Sequence, residues 1–438
     1  DTTEIIETDN LFSAEEIIKD SQDRASKIFK SGQSYYLVNG STCGIQAAIL
    51  ATCKPKSKIL INRDCHQSAI NAFILGDVEP IYIKGSICEN TYTIQGVSEQ
   101  DVISAIDNNE DIKVLMLTYP SYYGMVFDLE KICRYAHEKG MMVIVDEAHG
   151  AHLNLSDKLP KSALEQGADI VIQSLHKTLP AFTQSSMLHV QGDLVDKKNL
   201  ERFLKIVQSS SPSYVLMSSL EIAIDIYDRY GKGLMDNLLN DIENFAADLS
   251  KIDGVKVIKG HDATKVFISL KDLGINGYDL EEILRYKHNI QVELSNYYGV
   301  LLICTIGNDK NDFDAFLEAI KSIAKNFNKN HDLKIKQDNL NQKEAELIHI
   351  NYPNIIPKKV LSPRGAFYSD KKEVKLKDSI GKVSGEYIIP YPPGISLTSP
   401  GEIITKEVID YILICKEYGM NVSGLKDKSL DIIEIIEN

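Results

Sequence analysis

Between residues 35 and 190, short runs of β-branched and aliphatic residues alternate with longer stretches whose apolar positions recur at helical spacing. That alternation predicts an α/β fold built on a mainly parallel sheet with helices on its faces. The strand runs are Lys58–Ile61, Pro80–Ile83, Val114–Tyr119, Met142–Val145, Ile170–Gln173 and Met187–Val190. Helical patterns lie at Gly44–Cys53, Val102–Asn108 and Leu129–Glu138, the last closing at Lys139-Gly140 with a basic final turn and a glycine stop. Sheets of this kind bind ligands beyond the carboxyl ends of their strands, so the residues just after each run are the first to inspect.

Downstream, one long helical pattern runs from Tyr214 to Leu249, and an α+β stretch from Val255 to Phe327 reads as a second, smaller domain. From about Asn326 to Gln342 the chain turns polar with no apolar period, as a linker does. The third segment, to Asn438, carries the Pro-rich phrase IIPYPPGISLTSPGE. The expected division is a large domain with the amino-terminal segment over 1–240, a small α+β domain over 241–327, a linker over 328–342 and a carboxy-terminal domain over 343–438.

Charge and cysteine content narrow the function. The 48 Lys+Arg against 62 Asp+Glu give a net charge of -14, which argues against a nucleic acid held through its phosphates and suits cationic small molecules. The seven cysteines (Cys43, Cys53, Cys65, Cys88, Cys133, Cys304, Cys415) are odd in number and lack CxxC or other metal spacing, so reduced thiols, no metal and a cytoplasmic location are expected. No apolar run is long enough to span a bilayer, and Asp1 to Asp9 are acidic where a signal peptide would be basic and then apolar. The sequence begins at Asp1 and not at Met, which leaves room for residues upstream.

The candidate chemistry centres on two strand ends, MMVIVDEAHG (141–150) and ADIVIQSLHKTL (168–179). Asp146, closing the first, can hold a positive charge on a ring nitrogen, and Lys177, after the second, can reach an aldehyde. Taken singly, an Asp at a strand end is often a helix cap and a His-Lys pair is often solvated surface. Together they match what pyridoxal 5'-phosphate (PLP) requires, because a protonated pyridine nitrogen lets the ring accept electrons from a substrate Cα. Upstream, in YYLVNGSTCGIQAAIL (35–50), Ser41, Thr42, Cys43 and Gly44 fall at a helix N-terminus, where free N–H groups and the helix dipole favour a phosphate. An ordinary capped helix looks the same. Ser174 is a second candidate phosphate donor. His66, in ILINRDCHQSAINA (59–72), follows a strand and precedes a helix, where an imidazole could stack on a pyridine face.

The phrases LVNGSTCG, RDCHQSAINA, DEAHGAH, QSLHKTL, FTQSSMLHV and YPPGISLTSPGE span residues 37 to 402. In them the sequence resembles the bacterial ornithine/lysine/arginine decarboxylases, fold-type I PLP enzymes, in the short form without an amino-terminal receiver-like domain. The resemblance implies an aspartate aminotransferase-like large domain, a small α+β domain and a carboxy-terminal α+β domain. It makes Lys177 the Schiff-base lysine, Asp146 the partner of the pyridine nitrogen and His66 the stacking residue. Ser41, Thr42, Cys43 and Ser174 would surround the phosphate, with Ala148 also at the cofactor. It puts His176 near Cα, where it could return a proton. His149 stands where long-form enzymes carry an aromatic residue, and would face substrate. The segment 201–223 resembles the family stretch that contributes to a partner subunit's site, which singles out Ser210 and Ser211 and implies at least a homodimer. Glu293 stands where the family keeps an acidic residue for the substrate's distal cation. The implied reaction is PLP-dependent α-decarboxylation of arginine, lysine or ornithine to a polyamine or its precursor.

Three alternatives bear on this reading. A DExH helicase, suggested by Asp146-Glu147-Ala148-His149, needs a GxxxxGK[ST] loop that the sequence lacks. A PLP aminotransferase or lyase would share Lys177 and Asp146; Arg364 is a candidate carboxylate clamp, although its segment resembles the decarboxylase carboxy-terminal domain. A catalytically inactive PLP-binding homologue stays open because the His-x-Pro-Gly-His-Lys phrase that family members carry ahead of this region is not in this sequence.

Overall fold

The computed structural model describes residues 8–88, 94–328, 353, 355–391, 395–417 and 419–437. The predicted linker from 329 onward, the opening of the third segment, residues 1–7 of the acidic start and residues 392–394 of the Pro-rich phrase lie outside the described residues. Contacts divide the chain into two compact units: Asp1–Gly85 with Gly96–Asn237 and Thr305–Gly307, and Ser86–Gln95 with Leu238–Cys304 and Asn308–Asn438.

The first unit holds a seven-stranded sheet of β1 (Gln33–Leu37), β2 (Lys58–Asn62), β3 (Glu79–Ile83), β4 (Val114–Thr118), β5 (Met142–Asp146), β6 (Ile170–Gln173) and β7 (Ser186–Val190), in the order β1-β7-β6-β5-β4-β2-β3. The predicted mainly parallel arrangement holds: β7 alone runs against its neighbours, β1 and β6. The near-continuous apolar runs follow from cover on both faces, with Leu60, Leu115, Val143, Val145, Val171 and Ile172 fully buried. Each such side chain contributes about 1.5–3 kcal/mol by leaving water.

Between the strands, the helices end where their caps dictate. In α5 (Leu129–Glu138), Asp128 accepts the Lys131 N–H, and Leu129, Ile132, Cys133 and Ala136 form the buried stripe. Gly140, at φ +70°, turns the chain out while the Met141 N–H donates to the Ala136 carbonyl. Helix α2 spans Gly40–Thr52, four residues ahead of the predicted start, so Ser41, Thr42 and Cys43 form its first turn and not a loop before it. Gly44 explains how closely α2 packs: a Cβ there would lie 2.6 Å from Leu37 and 3.2 Å from Ile172. The strand β1 and the helix α1 (Ile17–Phe29) fall outside the predicted elements. The buried face of α1 includes Ser21, Gln22 and Ser26, which blurs its apolar period; Ser21 and Gln22 bond the Tyr36 hydroxyl and N–H.

The second unit contains a four-stranded antiparallel sheet of β8 (Lys256–Lys259), β9 (Lys265–Ser269), β10 (Leu294–Asn296) and β11 (Gly299–Ile303), ordered β8-β9-β11-β10. Helices Gly277–His288 and Lys310–Asn328 also belong to it, with the strand pair Lys371–Lys375 and Ile432–Ile436 and the helix Lys406–Glu417. The predicted long helix is continuous over Tyr214–Leu249. Among the described residues, no helix is long and apolar enough to cross a membrane.

Candidate active site

Because β1, β2, β4, β5 and β6 run in one direction, their carboxyl ends open on the same edge of the sheet. The chain segments that follow them bring most of the predicted residues together. After β1 comes the first turn of α2, and after β6 comes Ser174, the N-cap of the single-turn helix Leu175–Thr178 that carries His176 and Lys177. The Ser41 and Ser174 hydroxyls lie 2.7 Å apart and are buried. The amides of the first turn of α2 have no carbonyl partner within the helix, and with this hydroxyl pair they make a corner suited to a phosphate. Cys43 donates its thiol to the Gly40 carbonyl, and burial pushes that thiol up to about 12, so it adds no negative charge there. Thr42, on the same turn, is exposed.

Asp146, at the end of β5, is 4% exposed and accepts the Ala148 N–H at 3.1 Å. Burial raises its pKa above the ordinary carboxylate value, and the charges of His66 and Lys177 pull it back in part. A buried carboxylate in this condition suits a cationic partner such as a protonated ring nitrogen. His66 caps helix α3 (Gln67–Gly76), its Nδ1 accepting the Ser68 N–H at 3.2 Å, which fixes the ring's orientation while the residue stays exposed.

The Lys177 amine is 3.0 Å from His149 Nε2. His149 meets Tyr122 edge-on, with ring centroids 4.7 Å apart. Sequence reasoning did not single out Tyr122, although it follows the predicted run Val114–Tyr119, within the turn-forming phrase PSYYG. His176 Nδ1 is 3.0 Å from the Ser185 carbonyl, which can only accept, so Nδ1 bears hydrogen and Nε2 is the nitrogen left for proton exchange.

Two further predicted groups are the Ser210–Ser211 pair and Glu293. Ser210 and Ser211 are exposed; their neighbour Ser209 donates its N–H to Asn39, just ahead of α2, at 3.4 Å. Glu293 belongs to the second unit, where it is exposed and lines a cavity of about 510 Å³ with His288, Gln291 and Asp312 among others. Arg364, the alternative carboxylate clamp, stacks over Tyr368 with 5.6 Å to the ring centroid. Among the described residues, no group of three or more His, Cys, Asp or Glu could hold a metal.

The residues present fit PLP: a buried acid in need of a cation, a lysine amine after the neighbouring strand, and paired hydroxyls at a helix N-terminus. A PLP-dependent enzyme of the aspartate aminotransferase-like fold is the class that this combination defines. Residues 1–267 match the Orn/Lys/Arg decarboxylase major domain and residues 345–429 the carboxy-terminal domain of the same family, and the chain belongs to it. It is accordingly a PLP-dependent decarboxylase of a basic amino acid. Similar proteins include an arginine decarboxylase of Bacillus subtilis, 35% identical over 98% of this chain and 87% of its own, and an arginine decarboxylase of Bacillus anthracis, 32% identical over 100% of this chain and 88% of its own. Among solved structures, a lysine decarboxylase of Francisella novicida matches with a TM-score of 0.82 at 23% identity, covering 98% of this chain and 73% of its own. Lysine decarboxylase A of Pseudomonas aeruginosa matches at 0.87 and 18% identity, covering 99% and 73%. These two likenesses show the fold.

Proposed function

We propose that the chain converts arginine to agmatine and carbon dioxide, feeding polyamine synthesis, with Lys177 holding PLP and Asp146 holding its ring nitrogen. The observation that carries the assignment of roles is the buried Asp146 at the end of β5 together with the Lys177 amine after the adjacent β6, each within the other's electrostatic reach. Arginine is preferred because relatives that are 31–35% identical over 92–100% of this chain are named arginine decarboxylases.

PLP held here would supply an electron sink for the pair left when the bond from Cα to the carboxylate breaks. Asp146 keeps a proton on the ring nitrogen, because a buried carboxylate attracts that charge far more strongly than water does. Ser41, Thr42, Cys43 and Ser174 hold the phosphate end, with the first-turn amides of α2. His66, held by its cap bond to Ser68, presents its ring to the cofactor face, and Ala148 keeps Asp146 oriented. His149 steadies the Lys177 amine through Nε2, beside the substrate contact expected of it. His176, with Nδ1 committed to Ser185, gives the proton at Cα from Nε2.

Glu293 is proposed as the partner of the substrate's guanidinium, which matches a carboxylate bidentately. Carbon dioxide release measured with arginine, lysine and ornithine tests the substrate: arginine is expected to be turned over fastest, and no release from any of the three sinks the reading. In the same assay Glu293→Gln is expected to raise KM for arginine roughly tenfold to a hundredfold, the loss of a charged partner being worth about 1.5–3 kcal/mol, with PLP content unchanged. An unaltered KM discards that role.

We further propose a homodimer in which Ser210 and Ser211 reach the partner's site. Its support is an exposed apolar set: Phe182 (59% exposed), whose N–H donates to Ser219, and Val215 and Ile222 (50% and 58%) on either side of Ser219 on the long helix. Sedimentation should give twice the 49.0 kDa chain mass; a monomer at micromolar concentration removes this assignment. A reducing cytoplasmic compartment fits the seven free thiols, and the large, small and carboxy-terminal domain division stands as part of the same proposal.

A further inference from the structure

Beneath the site runs a chain of buried polar groups to which the reaction assigns no part. Glu147, one residue past Asp146, is fully buried. Its Oε2 accepts the Gln173 side-chain amide at 2.6 Å and the Ser162 hydroxyl at 2.8 Å, and its Oε1 accepts the Ala163 N–H at 2.7 Å. Gln173, the last residue of β6, is 1% exposed and stands directly before Ser174. Beyond it, His189 Nε2 lies 3.2 Å from Gln173 Oε1, and Ser34 Oγ lies 2.8 Å from His189 Nδ1, with His189 fully buried and Ser34 at 2% exposure.

One assignment of hydrogens satisfies every member. The carboxylate can only accept, so the Gln173 NH₂ faces Glu147 and its carbonyl faces His189. His189 must then carry hydrogen on Nε2, and its Nδ1 accepts the Ser34 hydroxyl. Burial pushes His189 down to about 3, so the imidazole is neutral, as this chain requires. Turning the Gln173 amide would set its carbonyl against the Glu147 carboxylate and force the other tautomer on His189. The orientation is therefore set by the Glu147 carboxylate, and the Ser34 hydroxyl, which can donate or accept, follows it.

The position of this chain matters more than its existence. The Glu147 N–H donates to the Ile172 carbonyl at 2.9 Å, and the Glu147–Gln173 side-chain bond lies one step further on. It joins the ends of β5 and β6 between Asp146 on one side and Ser174 and Lys177 on the other. We propose that Glu147 is a positioning residue, and that its bond to Gln173 is a crossbar setting the separation between Asp146 and the Ser174–Lys177 end of the PLP site. This rests on the assignment of PLP to Lys177 and Asp146.

A swap of donor and acceptor tests it. Gln173→Glu sets two carboxylates against each other, whereas Glu147→Gln sets two amide NH₂ groups against each other unless the Gln173 amide turns and the His189 proton moves to Nδ1. The double variant restores one donor facing one acceptor, with Glu at 173 still able to accept from His189. PLP affinity of the full chain is read by absorbance titration after removal of the cofactor, beside the melting temperature of the PLP-free protein. Burial pushes Glu147 up to about 7 despite its donated bonds, so the titration is run at pH 8, where the carboxylate is mostly ionised.

Gln173→Glu should bind PLP roughly tenfold more weakly, as expected for a broken buried hydrogen bond that leaves a partner unsatisfied, Glu147→Gln should be weakened less because the amide chain can reverse, and the double variant should return to within about threefold of wild type. Wild-type PLP affinity in both singles, with only the PLP-free melting temperature lowered, would make Glu147 a structural clamp and overturn the proposal. So would a double variant no better than the worse single. Should Glu147→Gln fail to fold, Gln173→Met, which keeps the volume and deletes the crossbar, carries the same expectation of weaker PLP, and tight binding in it overturns the idea. The two readings fail separately: wild-type protein that takes up no PLP ends both, whereas a lysine-bound spectrum that Lys177→Ala abolishes, with PLP affinity insensitive to the swap, ends only this one.

Discussion

Replacing Lys177 with alanine is expected to remove the visible absorbance of lysine-bound PLP and to lower decarboxylation by roughly three or more orders of magnitude, as loss of an essential nucleophile does. The amine has no understudy after β6: the other basic group on the same turn, His176, is turned toward the Ser185 carbonyl through Nδ1. The phosphate contacts proposed for Ser41 and Ser174 and the charge of Asp146 remain in the variant, so PLP should still bind, but reversibly and with the spectrum of a free aldehyde. Spectra of the purified variant before and after gel filtration decide the matter. A wild-type spectrum that survives filtration would move the cofactor lysine elsewhere in the chain.

Asp146→Asn is expected to spare PLP binding and to lower kcat by roughly a hundredfold to a thousandfold, the scale seen when one preorganised charge partner is removed from a site that excludes water. Asparagine keeps the shape and can still accept the Ala148 N–H, so the effect isolates the charge. Burial disfavours ionised Asp146 on its own, while a cation on the ring nitrogen would favour it, so in the proposed site each charge would stabilise the other. With asparagine that mutual support is gone, and the ring is less able to hold electrons from Cα. Since substrate contacts are untouched, KM should change little. Unchanged kcat in a folded, PLP-loaded Asp146→Asn protein would mean that the ring nitrogen is held by another group.

Much of the first unit was legible because its signals are local. Apolar runs located β2 to β7 to within a residue or two, and the Lys139-Gly140 stop of α5 follows from backbone geometry that glycine adopts without penalty. The start of α2 was harder, since Gly40, Ser41 and Thr42 are neither apolar nor good helix formers; tertiary packing of Gly44 against Leu37 and Ile172 extends the helix over them. Strand direction was equally hidden, because an apolar run reads alike either way, and β7 proved antiparallel to β6. Tyr122 escaped notice because an aromatic residue in a turn carries no sign of the imidazole it will meet.

The sequence by itself determined the class of fold, the strand ends that carry Asp146 and Lys177, and a family resemblance that the comparisons bear out, since periodicity, turn chemistry and long shared phrases are all written along the chain. Tertiary structure alone decided which side chains meet. Ser41 and Ser174 stand 133 residues apart in sequence, Lys177 and His149 stand 28 apart, and Gln173 and Glu147 stand 26 apart. Contacts of that separation depend on the order in which strands pair, a choice settled by burial of the whole sheet and carried by no local pattern.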